Sequence, residues 1–389
     1  MEEGTEMDLE EHTPSPPQHK RFAIKNTIQT NFGDHYIFQI DYSQENSSLA
    51  VSLSSNSIKF YSPTTGQYIG ECNGHSGPIN HISSTGPSSP CVLYSCSSDG
   101  TLRAWDTRSF NQVSLISAGA DQEVFSFSFG GSDDNLISAG CKSQILFWDW
   151  RNGKQVACLE ECHMDDVTQV HFAPDCRNKV VSASVDGLMC VVDTNGNIND
   201  DDNLDFVMNV ETSIGKIGFF GEMNRKLWCL THIETLSIWD WQDGKNEVNF
   251  QDARSLASDS WNHDHVNYFV DCHYSRSDNQ LWVIGGTNAG TLGYFPVNYR
   301  GGGAICSPKA ILEGGHLGVV RSVVPMSSID GGHIWSQGVF GWTGGEDGRL
   351  CCWLPEESTA VNQSWISNSL VMKRNHLHQA LGLNRRQPI

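Results

Sequence analysis

The stretch SSDGTLRAWDTR, at residues 97–108, holds a tight polar turn followed by a short strand that ends on an aromatic residue. An Asp-Gly pair favours such a turn, and the alternation after it is typical of a β-strand. The same order of features returns as SVDGLMCVVDTN at 184–195 and as GEDGRLCCWLPE at 345–356. Weaker copies are SSNSIKFYSPTT (54–65), GCKSQILFWDWR (140–151), HIETLSIWDWQD (232–243) and TNAGTLGYFPVN (287–298). The sequence therefore predicts a repeat architecture.

One position marks all seven copies, and it holds an aromatic or branched residue. The marked residues are Tyr61, Trp105, Trp148, Val192, Trp239, Phe295 and Trp353. They follow one another at intervals of 43 to 47 residues, then of 56 and 58, which is near the length of one four-stranded propeller blade. An apolar strand precedes each copy and a turn with another strand follows it. We therefore predict an all-β, seven-bladed β-propeller over residues 22–355.

The chain ends fit this fold. The segment RFAIKNTIQT (21–30) alternates like a strand and has no unit of its own, whereas Pro355 interrupts the last unit. We predict that 21–30 supplies the outer strand of the last blade, which closes the ring. Residues 1–21 are acidic and rich in proline and are predicted to be disordered, and 356–389 are predicted to be a flexible basic tail. The insertions are predicted to be loops: 195–205, 252–265 and 299–308.

Composition narrows the function. The 389 residues carry a net charge of −20, which disfavours direct binding to nucleic acid. An acidic surface suits solubility first and basic partners second. The 13 cysteines contain no Cys-x-x-Cys pair, so we expect reduced core thiols. Without an apolar leader or a membrane-length apolar run, the expected location is cytoplasmic or nuclear, including the nucleolus, and not secreted or in a membrane.

Three units carry a histidine, a hydroxyl and an aspartate that together resemble a catalytic triad. The sets are His75, Ser95, Asp99 with Trp105; His163, Ser182, Asp186; and His316, Thr343, Asp347 with Trp353. A catalytic triad occurs once in a protein and lies beside an oxyanion hole, whereas these residues recur with the repeat. We interpret them as buried hydrogen-bond networks that fix each blade, and we predict no catalytic residue.

Metal and cofactor sites are not expected. The acidic loop that begins at Asp193 resembles a calcium loop, but Ile198 stands where glycine is required and Leu204 where glutamate is required. The cluster His263-Asp264-His265 is interpreted as surface histidines. Phosphate-binding glycine motifs and zinc-protease motifs are absent from the sequence.

Two successive units end in Trp-Asp-x-Arg, at 105–108 and 148–151. Arg108 and Arg151 are candidates for binding a protein partner, because a guanidinium that projects beyond a strand can make paired hydrogen bonds. The two segments resemble the box by which many proteins built from such repeats dock on the DDB-type adaptor of cullin-RING ubiquitin ligases, and this resemblance implies a substrate receptor as the alternative function. The alternative is that each arginine caps its turn and pairs with the neighbouring blade.

The repeats resemble the WD-repeat superfamily, through Gly74-His75, Gly315-His316 and the Trp-Asp pairs that begin at 105, 148 and 239. The stretches 165–193, 281–295 and 314–355 are similar to the family of WD repeat-containing protein 89, most of all to its plant members. The resemblance implies a non-enzymatic scaffold without cofactors, linked to growth control and to ribosome-biogenesis partners.

This chain departs from the repeat pattern in several units. Ile233 and Ala289 replace the turn aspartate in the fifth and sixth units, and Val192 and Phe295 replace tryptophan. We expect those units to be less tightly held.

Overall fold

The computed structural model describes residues 20–30, 35–86, 91–119, 121–261, 265–326 and 340–355. Within these ranges the chain is almost entirely β-structure, as predicted. The tails predicted to be disordered or flexible lie outside the described residues, except Lys20 and Arg21, which belong to the first strand. Their disorder stays a prediction.

The first strand, β1, covers Lys20–Gln29. The next twenty strands form five antiparallel four-stranded sheets, which we call units 1 to 5. Unit 1 contains β2 (Ile37–Ser43), β3 (Ser48–Leu53), β4 (Ser57–Tyr61) and β5 (Tyr68–Asn73). Unit 2 contains β6 (Ile79–Ser83), β7 (Val92–Ser97), β8 (Thr101–Asp106) and β9 (Asn111–Ser117). Unit 3 contains β10 (Ser126–Gly130), β11 (Leu136–Gly140), β12 (Ile145–Asp149) and β13 (Lys154–Leu159). Unit 4 contains β14 (Gln169–Ala173), β15 (Cys176–Ala183), β16 (Leu188–Asp193) and β17 (Leu204–Asn209). Unit 5 contains β18 (Ile214–Phe220), β19 (Lys226–Thr231), β20 (Leu236–Asp240) and β21 (Lys245–Phe250).

The remaining strands share one nine-stranded sheet with β1. Unit 6 contains β22 (Tyr268–Ser275), β23 (Gln280–Gly286), β24 (Leu292–Asn298), β25 (Ala304–Ile305) and β26 (Ala310–Leu312). Unit 7 contains β27 (Val320–Pro325), β28 (Gly341–Gly345), β29 (Arg349–Pro355) and β1. The propeller fold is confirmed. The count of seven blades stays a prediction, because the last two units are hydrogen-bonded into one sheet.

The N-terminal strand closes the fold. β1 runs antiparallel to β29, from the pair Phe22 and Pro355 to the pair Gln29 and Arg349. The predicted closing strand is therefore confirmed, and it begins one residue earlier, at Lys20. The first three residues of β1 also pair in parallel with β26, which joins unit 7 to unit 6. An edge that the last unit would otherwise expose is thereby paired.

The apolar core lies between the units. The second strands β3, β11 and β28 are buried along their whole length, whereas the outer strand β9 is almost wholly exposed. Strands covered on both faces need apolar residues throughout, which explains the continuous apolar runs of the sequence. Each of seven hydrophobic clusters is shared by two successive units, and one joins unit 7 to unit 1. Each unit thus depends on its neighbours for its core.

Polar side chains also join neighbouring units around the inner strands. At every junction a side chain of one unit bonds a backbone group of the next, which pairs polar groups that would otherwise be buried alone. The pairs, in ring order, are Gln39 Nε2 to Ile82 O (3.1 Å), Asn80 Nδ2 to Val124 O (2.8 Å), Phe172 N to Ser128 Oγ (3.0 Å), Thr168 Oγ1 to Ile214 O (2.9 Å), Lys216 Nζ to Val270 O (2.7 Å), Val320 N to Tyr268 Oη (2.6 Å) and Ile40 N to Ser322 Oγ (3.0 Å).

The insertions are not all loops. The prediction for 252–265 is wrong over its first part, which forms the helix α1 (Ala253–Ser260). Ala253 and Ala257 lie one turn apart and are buried against the core of units 5 and 6, so packing stabilises a helix too short to form alone. β25 lies within 299–308, and a short 3-10 helix, Asp201–Asn203, lies within 195–205. In the described residues, no helix has the length and apolar character needed to cross a membrane.

Candidate functional site

The meander of each unit creates two faces. Because neighbouring strands run antiparallel, the turns between first and second strands and between third and outer strands lie on one face, which we call the turn face. The turns between second and third strands, with the connections between units, lie on the other, which we call the network face. The His-Ser/Thr-Asp sets lie on the network face, and the Trp-Asp-x-Arg segments lie on the turn face.

In unit 2 the structure brings all four predicted residues together. Nδ1 of His75 lies 2.9 Å from an oxygen of Asp99, and its Nε2 lies 2.8 Å from Oγ of Ser95. The indole N–H of Trp105 donates to the same Oγ at 2.8 Å. Asp99 also accepts the backbone N–H groups of Ser76 and Thr101, each at 3.0 Å. The carboxylate thus fixes both the turn and the incoming loop.

Unit 7 repeats this arrangement with threonine. Nδ1 of His316 lies 3.1 Å from Asp347, and its Nε2 lies 2.7 Å from Oγ1 of Thr343. Trp353 donates to that oxygen at 2.8 Å. In units 2 and 7 the residue after the aspartate is a glycine with positive φ, at 75° for Gly100. The Asp-Gly pair is therefore required by the turn.

Unit 4 has the same set without the indole. His163 lies 3.1 Å from Asp186 through Nδ1 and 2.8 Å from Oγ of Ser182 through Nε2. Val192 replaces tryptophan, and Oγ of Ser182 lies 3.4 Å from the carbonyl oxygen of Cys190. One hydrogen bond of the network is therefore lost in this unit.

The electrostatics favour a neutral histidine held by a charged aspartate. Burial lowers the pKa of the His75 and His163 imidazoles, although the nearby carboxylates oppose the change. Burial would raise the pKa of Asp99, but hydrogen bonds from Thr101, His75 and Ser76 outweigh it and lower the pKa to about 2. We assign the imidazole proton to Nδ1, so the hydroxyl donates to Nε2 and accepts the indole N–H.

These hydroxyls are poorly placed for attack on a substrate. Ser95 and Ser182 are completely buried and Thr343 is 1% exposed. In units 2 and 7 the hydroxyl is bonded both to imidazole and to indole. A nucleophile must approach its substrate within about 3–3.5 Å, and these oxygens present no surface for that approach.

The two candidate arginines are exposed on the turn face. Arg108 donates from Nε (3.1 Å) and Nη2 (2.8 Å) to the two oxygens of Asp106, and Arg151 binds Asp149 in the same way, at 3.0 and 2.8 Å. The arginine side chains are 74% and 55% exposed. Each arginine caps its own turn, as the alternative interpretation proposed, but its carboxylate partner lies in the same unit and not in the neighbouring one. Nη1 takes no part in either pair.

An apolar groove lies between units 2 and 3 and was missed by the sequence analysis. Its cavity of about 240 Å³ is lined by Val113, Ile116, Ile137 and Trp150, among others. Trp150 belongs to the second Trp-Asp-x-Arg segment, and its indole donates to the carbonyl of Asp134 at 2.8 Å. Val113 is 57% exposed on the outer strand β9. The only sequence signal for the groove is that β9 contains no charged residue.

Histidines from the inner strands form a second feature that the sequence analysis missed. His81 of unit 2 and His171 of unit 4 line one pocket of about 590 Å³ on the turn face. Burial lowers the pKa of His81 to about 3 and of His171 to about 4, so both are neutral near pH 7. In the described part of the chain, no group of three His, Cys, Asp or Glu residues has the placement needed to hold a metal ion.

The cysteines of the described chain are all free thiols. Eight are buried, including the adjacent Cys351 and Cys352, and burial raises the pKa of both of these thiols to about 12. Such thiols pack as small apolar side chains and remain protonated.

Comparison with known proteins agrees with this fold. The family model described as WD domain, G-beta repeat, matches residues 66–106 and 153–193. Each match begins at the outer strand of one unit and ends with the third strand of the next. The sequence repeat is therefore offset by one strand from the sheet, which is the offset that β1 compensates in unit 7.

Two curated proteins are similar over most of the chain, and a third is similar over a shorter part of it. WD repeat-containing protein GTS1 of Arabidopsis thaliana is 61% identical over 383 residues, which are 96% of this chain and 97% of that protein. The WD repeat-containing protein 89 homolog of Dictyostelium discoideum is 33% identical over 302 residues, which are 75% and 78% of the two chains. DDB1- and CUL4-associated factor 10 of Xenopus tropicalis is 21% identical over 151 residues, which are 38% of this chain and 32% of that protein.

Proposed function

The chain belongs to the WD-repeat family, and on that premise we propose that it is a non-enzymatic scaffold that binds other proteins. One observation carries the proposal. The residues that resemble a catalytic triad are buried in networks internal to units 2, 4 and 7. The surface of units 2 and 3, by contrast, has an apolar groove that includes Trp150 and two exposed arginines on the turn face, and aromatic residues and arginine are typical anchors of protein interfaces.

We propose further that the scaffold acts in growth and development control, through ribosome-biogenesis factors or ribosomal proteins. The cytoplasm and nucleus, including the nucleolus, are its proposed locations. The likeness to the family of WD repeat-containing protein 89 supports this narrower proposal. Affinity purification with mass spectrometry tests it, because ribosomal or nucleolar factors must belong to the stable partner set. A reproducible partner set without them would refute the ribosome-linked version.

Two variants, one in the groove and one outside it, show whether partners bind at the groove. In the variant Val113→Glu, a carboxylate enters the apolar wall of the groove between units 2 and 3. Val156→Glu is the matched control, because Val156 is also exposed on an outer strand, at 45%, and does not line that groove. Both variants should melt near the wild-type temperature, since surface changes have small effects on stability. If a partner is lost in Val113→Glu and kept in Val156→Glu, the result supports binding at the groove. If both variants keep the wild-type partner set, binding at the groove is refuted.

The second candidate function is that of a substrate receptor in a cullin-RING ubiquitin ligase. Arg108 and Arg151 occupy equivalent positions on neighbouring units, and each guanidinium is fixed by its aspartate through Nε and Nη2. A fixed guanidinium loses little conformational entropy on binding. The local similarity to DDB1- and CUL4-associated factor 10 also favours this candidate.

Binding of the purified DDB-type adaptor tests this candidate directly. The double variant Arg108→Ala with Arg151→Ala should abolish binding and leave the melting temperature nearly unchanged, because both pairs are at the surface. Arg177→Ala is the control, since Arg177 is 55% exposed and pairs with Asp134 at 2.9 Å. Undiminished binding by the double variant would eliminate the candidate.

A further inference from the structure

A pocket lies at the outer end of unit 6. It has a volume of about 750 Å³ and lies on the turn face, between β23, β24 and the segment that leads to β26. Trp282 and Tyr299 form part of its buried wall, and the exposed residues Lys20, Arg300 and Lys309 surround it. Lys20 is the first residue of β1, so the pocket lies beside the strand that closes the fold.

The charge of this pocket is opposite to that of the chain. Three cationic residues line the pocket, Lys20, Arg300 and Lys309, and Asp278 is the one acidic residue among its described lining residues, in a protein with a net charge of −20. Five exposed arginines of the described chain pair with a carboxylate: Arg108, Arg151, Arg177, Arg225 and Arg321. Arg300 belongs with Arg21, Arg254 and Arg276, which are exposed and form no such pair with a described residue. Arg300 and Lys309 have no carboxylate within ion-pair distance among the described residues. Arg300 instead lies 5.7 Å from the centre of the Tyr299 ring.

Backbone hydrogen bonds fix the segments that carry Lys20 and Lys309. The N–H of Cys306 donates to the carbonyl of Pro296 at 3.0 Å, and the N–H of Lys309 donates to that of Tyr294 at 2.9 Å. Lys20 N–H in turn donates to the carbonyl of Lys309 at 2.9 Å. When the walls of a pocket are already fixed, little free energy is lost to ordering them on ligand binding. Its chemistry suits a segment rich in carboxylates.

The segment of the chain that precedes Lys20 has this chemistry. Residues 1–19 hold six acidic residues, all at positions 2–11, and neither lysine nor arginine. Glu11 is nine residues from Lys20, a distance that an extended chain spans with about 30 Å. Attachment at the pocket itself gives the segment a high effective concentration there. We propose that the pocket binds acidic peptide segments and that its occupant in the free protein is residues 2–11 of the same chain.

Cys306 provides a probe inside the pocket of the full-length protein. It lines the pocket and is exposed, whereas the other cysteines of the described chain are buried or partly buried. The rate of its alkylation by iodoacetamide is measured by mass spectrometry of the peptide that contains it. The tail variant carries Glu2→Gln, Glu3→Gln, Glu6→Gln, Asp8→Asn, Glu10→Gln and Glu11→Gln. The pocket variant carries Arg300→Gln and Lys309→Gln, and Lys154→Gln, an exposed lysine on β13, is its control.

The proposal predicts that neutralising the tail speeds alkylation of Cys306 about fivefold in the native pocket and in the Lys154→Gln control. In the pocket variant the same tail change should have almost no effect, which isolates the coupling between tail and pocket. A free peptide of residues 1–12 should slow alkylation in the tail variant but not in the variant that combines both sets of changes. An unchanged rate on neutralising the tail would refute residues 2–11 as the occupant. If the free peptide also gives no protection, the pocket does not bind acidic segments.

Discussion

Units 2 and 6 hold their third strands by different means. In unit 2 the indole of Trp105 is hydrogen-bonded into the network of Ser95 and His75. In unit 6 the equivalent residue is Phe295, which is completely buried under Trp261, with ring centres 5.5 Å apart and nearly perpendicular. Gly293 lies against the same ring, where a Cβ would come within 2.7 Å of Phe295. One unit is fixed by directed polar contacts and the other by close packing.

The comparison explains how the propeller tolerates degenerate repeats. Trp261 follows α1 directly, so the insertion that lengthens the interval before unit 6 also supplies the cover for Phe295. Unit 5 has yet another arrangement, in which Trp239 donates to Ser237 of its own strand at 2.8 Å. A missing Asp-Gly turn therefore removes the polar network but leaves the strand packed. Whether such units are less tightly held is open to measurement.

The largest expected change in the free energy of unfolding comes from the apolar packing of unit 6. Trp261→Ala should lower the free energy of unfolding by about 3–5 kcal/mol, because it uncovers Phe295 and leaves a cavity. Leu256→Ala in the same insertion is the control, since Leu256 is 41% exposed and should cost little. Urea denaturation measures both. A loss under about 1 kcal/mol for Trp261→Ala would mean that packing by the insertion does not hold unit 6.

A smaller loss of stability is expected when the hydroxyl of a polar network is removed, and the loss should differ between unit 2 and unit 4. Ser95→Ala leaves both the Nε2 of His75 and the indole N–H of Trp105 without a partner, so we expect a loss of about 2–4 kcal/mol. Ser182→Ala leaves only the Nε2 of His163 without its partner, because unit 4 has valine in place of tryptophan, and should cost about 1–2 kcal/mol. The same denaturation experiment compares them. Equal losses would show that the indole contributes nothing to the network.

The smallest expected effect is a dependence on pH in unit 2. Burial lowers the pKa of His75 in the folded chain, so the unfolded chain binds more protons below about pH 6.5. The stability that this histidine contributes is therefore complete above pH 6.5 and is lost as the pH falls from there towards its folded pKa. The contribution of Asp99 is lost only below its ordinary pKa of 3.8, as the pH falls towards about 2.

Hydrogen exchange resolves this effect by strand. Between pH 7 and pH 5, after correction for intrinsic rates, amides of β8 in unit 2 should lose more protection than those of β24 in unit 6. The third strands are compared because His273, whose pKa is also lowered by burial, lies on the inner strand of unit 6. Equal losses in β8 and β24 would contradict a role for the His75 network in this pH range.

The sequence predicts the fold well because its signals are local. Asp-Gly turns, alternation and the marked aromatic residue each lie within a dozen residues, so they identify units and even the closing strand. The helix α1 was missed because only Ala253 and Ala257 bury surface, and their partners lie in units 5 and 6. The local sequence pattern does not predict packing between segments that are distant in the chain.

The candidate sites are less predictable for the same reason. The His-Ser/Thr-Asp sets are visible because the repeat copies them, and the arginines because they follow a Trp-Asp pair. The groove joins Val113 of one unit to Ile137 and Trp150 of the next, and the pocket of unit 6 joins Lys20 to Lys309. The packing of two successive units forms the groove, and the pairing of β1 with β26 brings Lys20 to Lys309.

The central claim is that the triad-like residues serve the fold while the turn face binds partners. Quantitative affinity purification of Ser182→Ala and Val113→Glu, at a temperature where both are folded, tests it most directly. The account predicts that Ser182→Ala keeps the wild-type partner set, whereas Val113→Glu loses at least one stable partner. Loss of partners in Ser182→Ala, with the wild-type partner set intact in Val113→Glu, would contradict it.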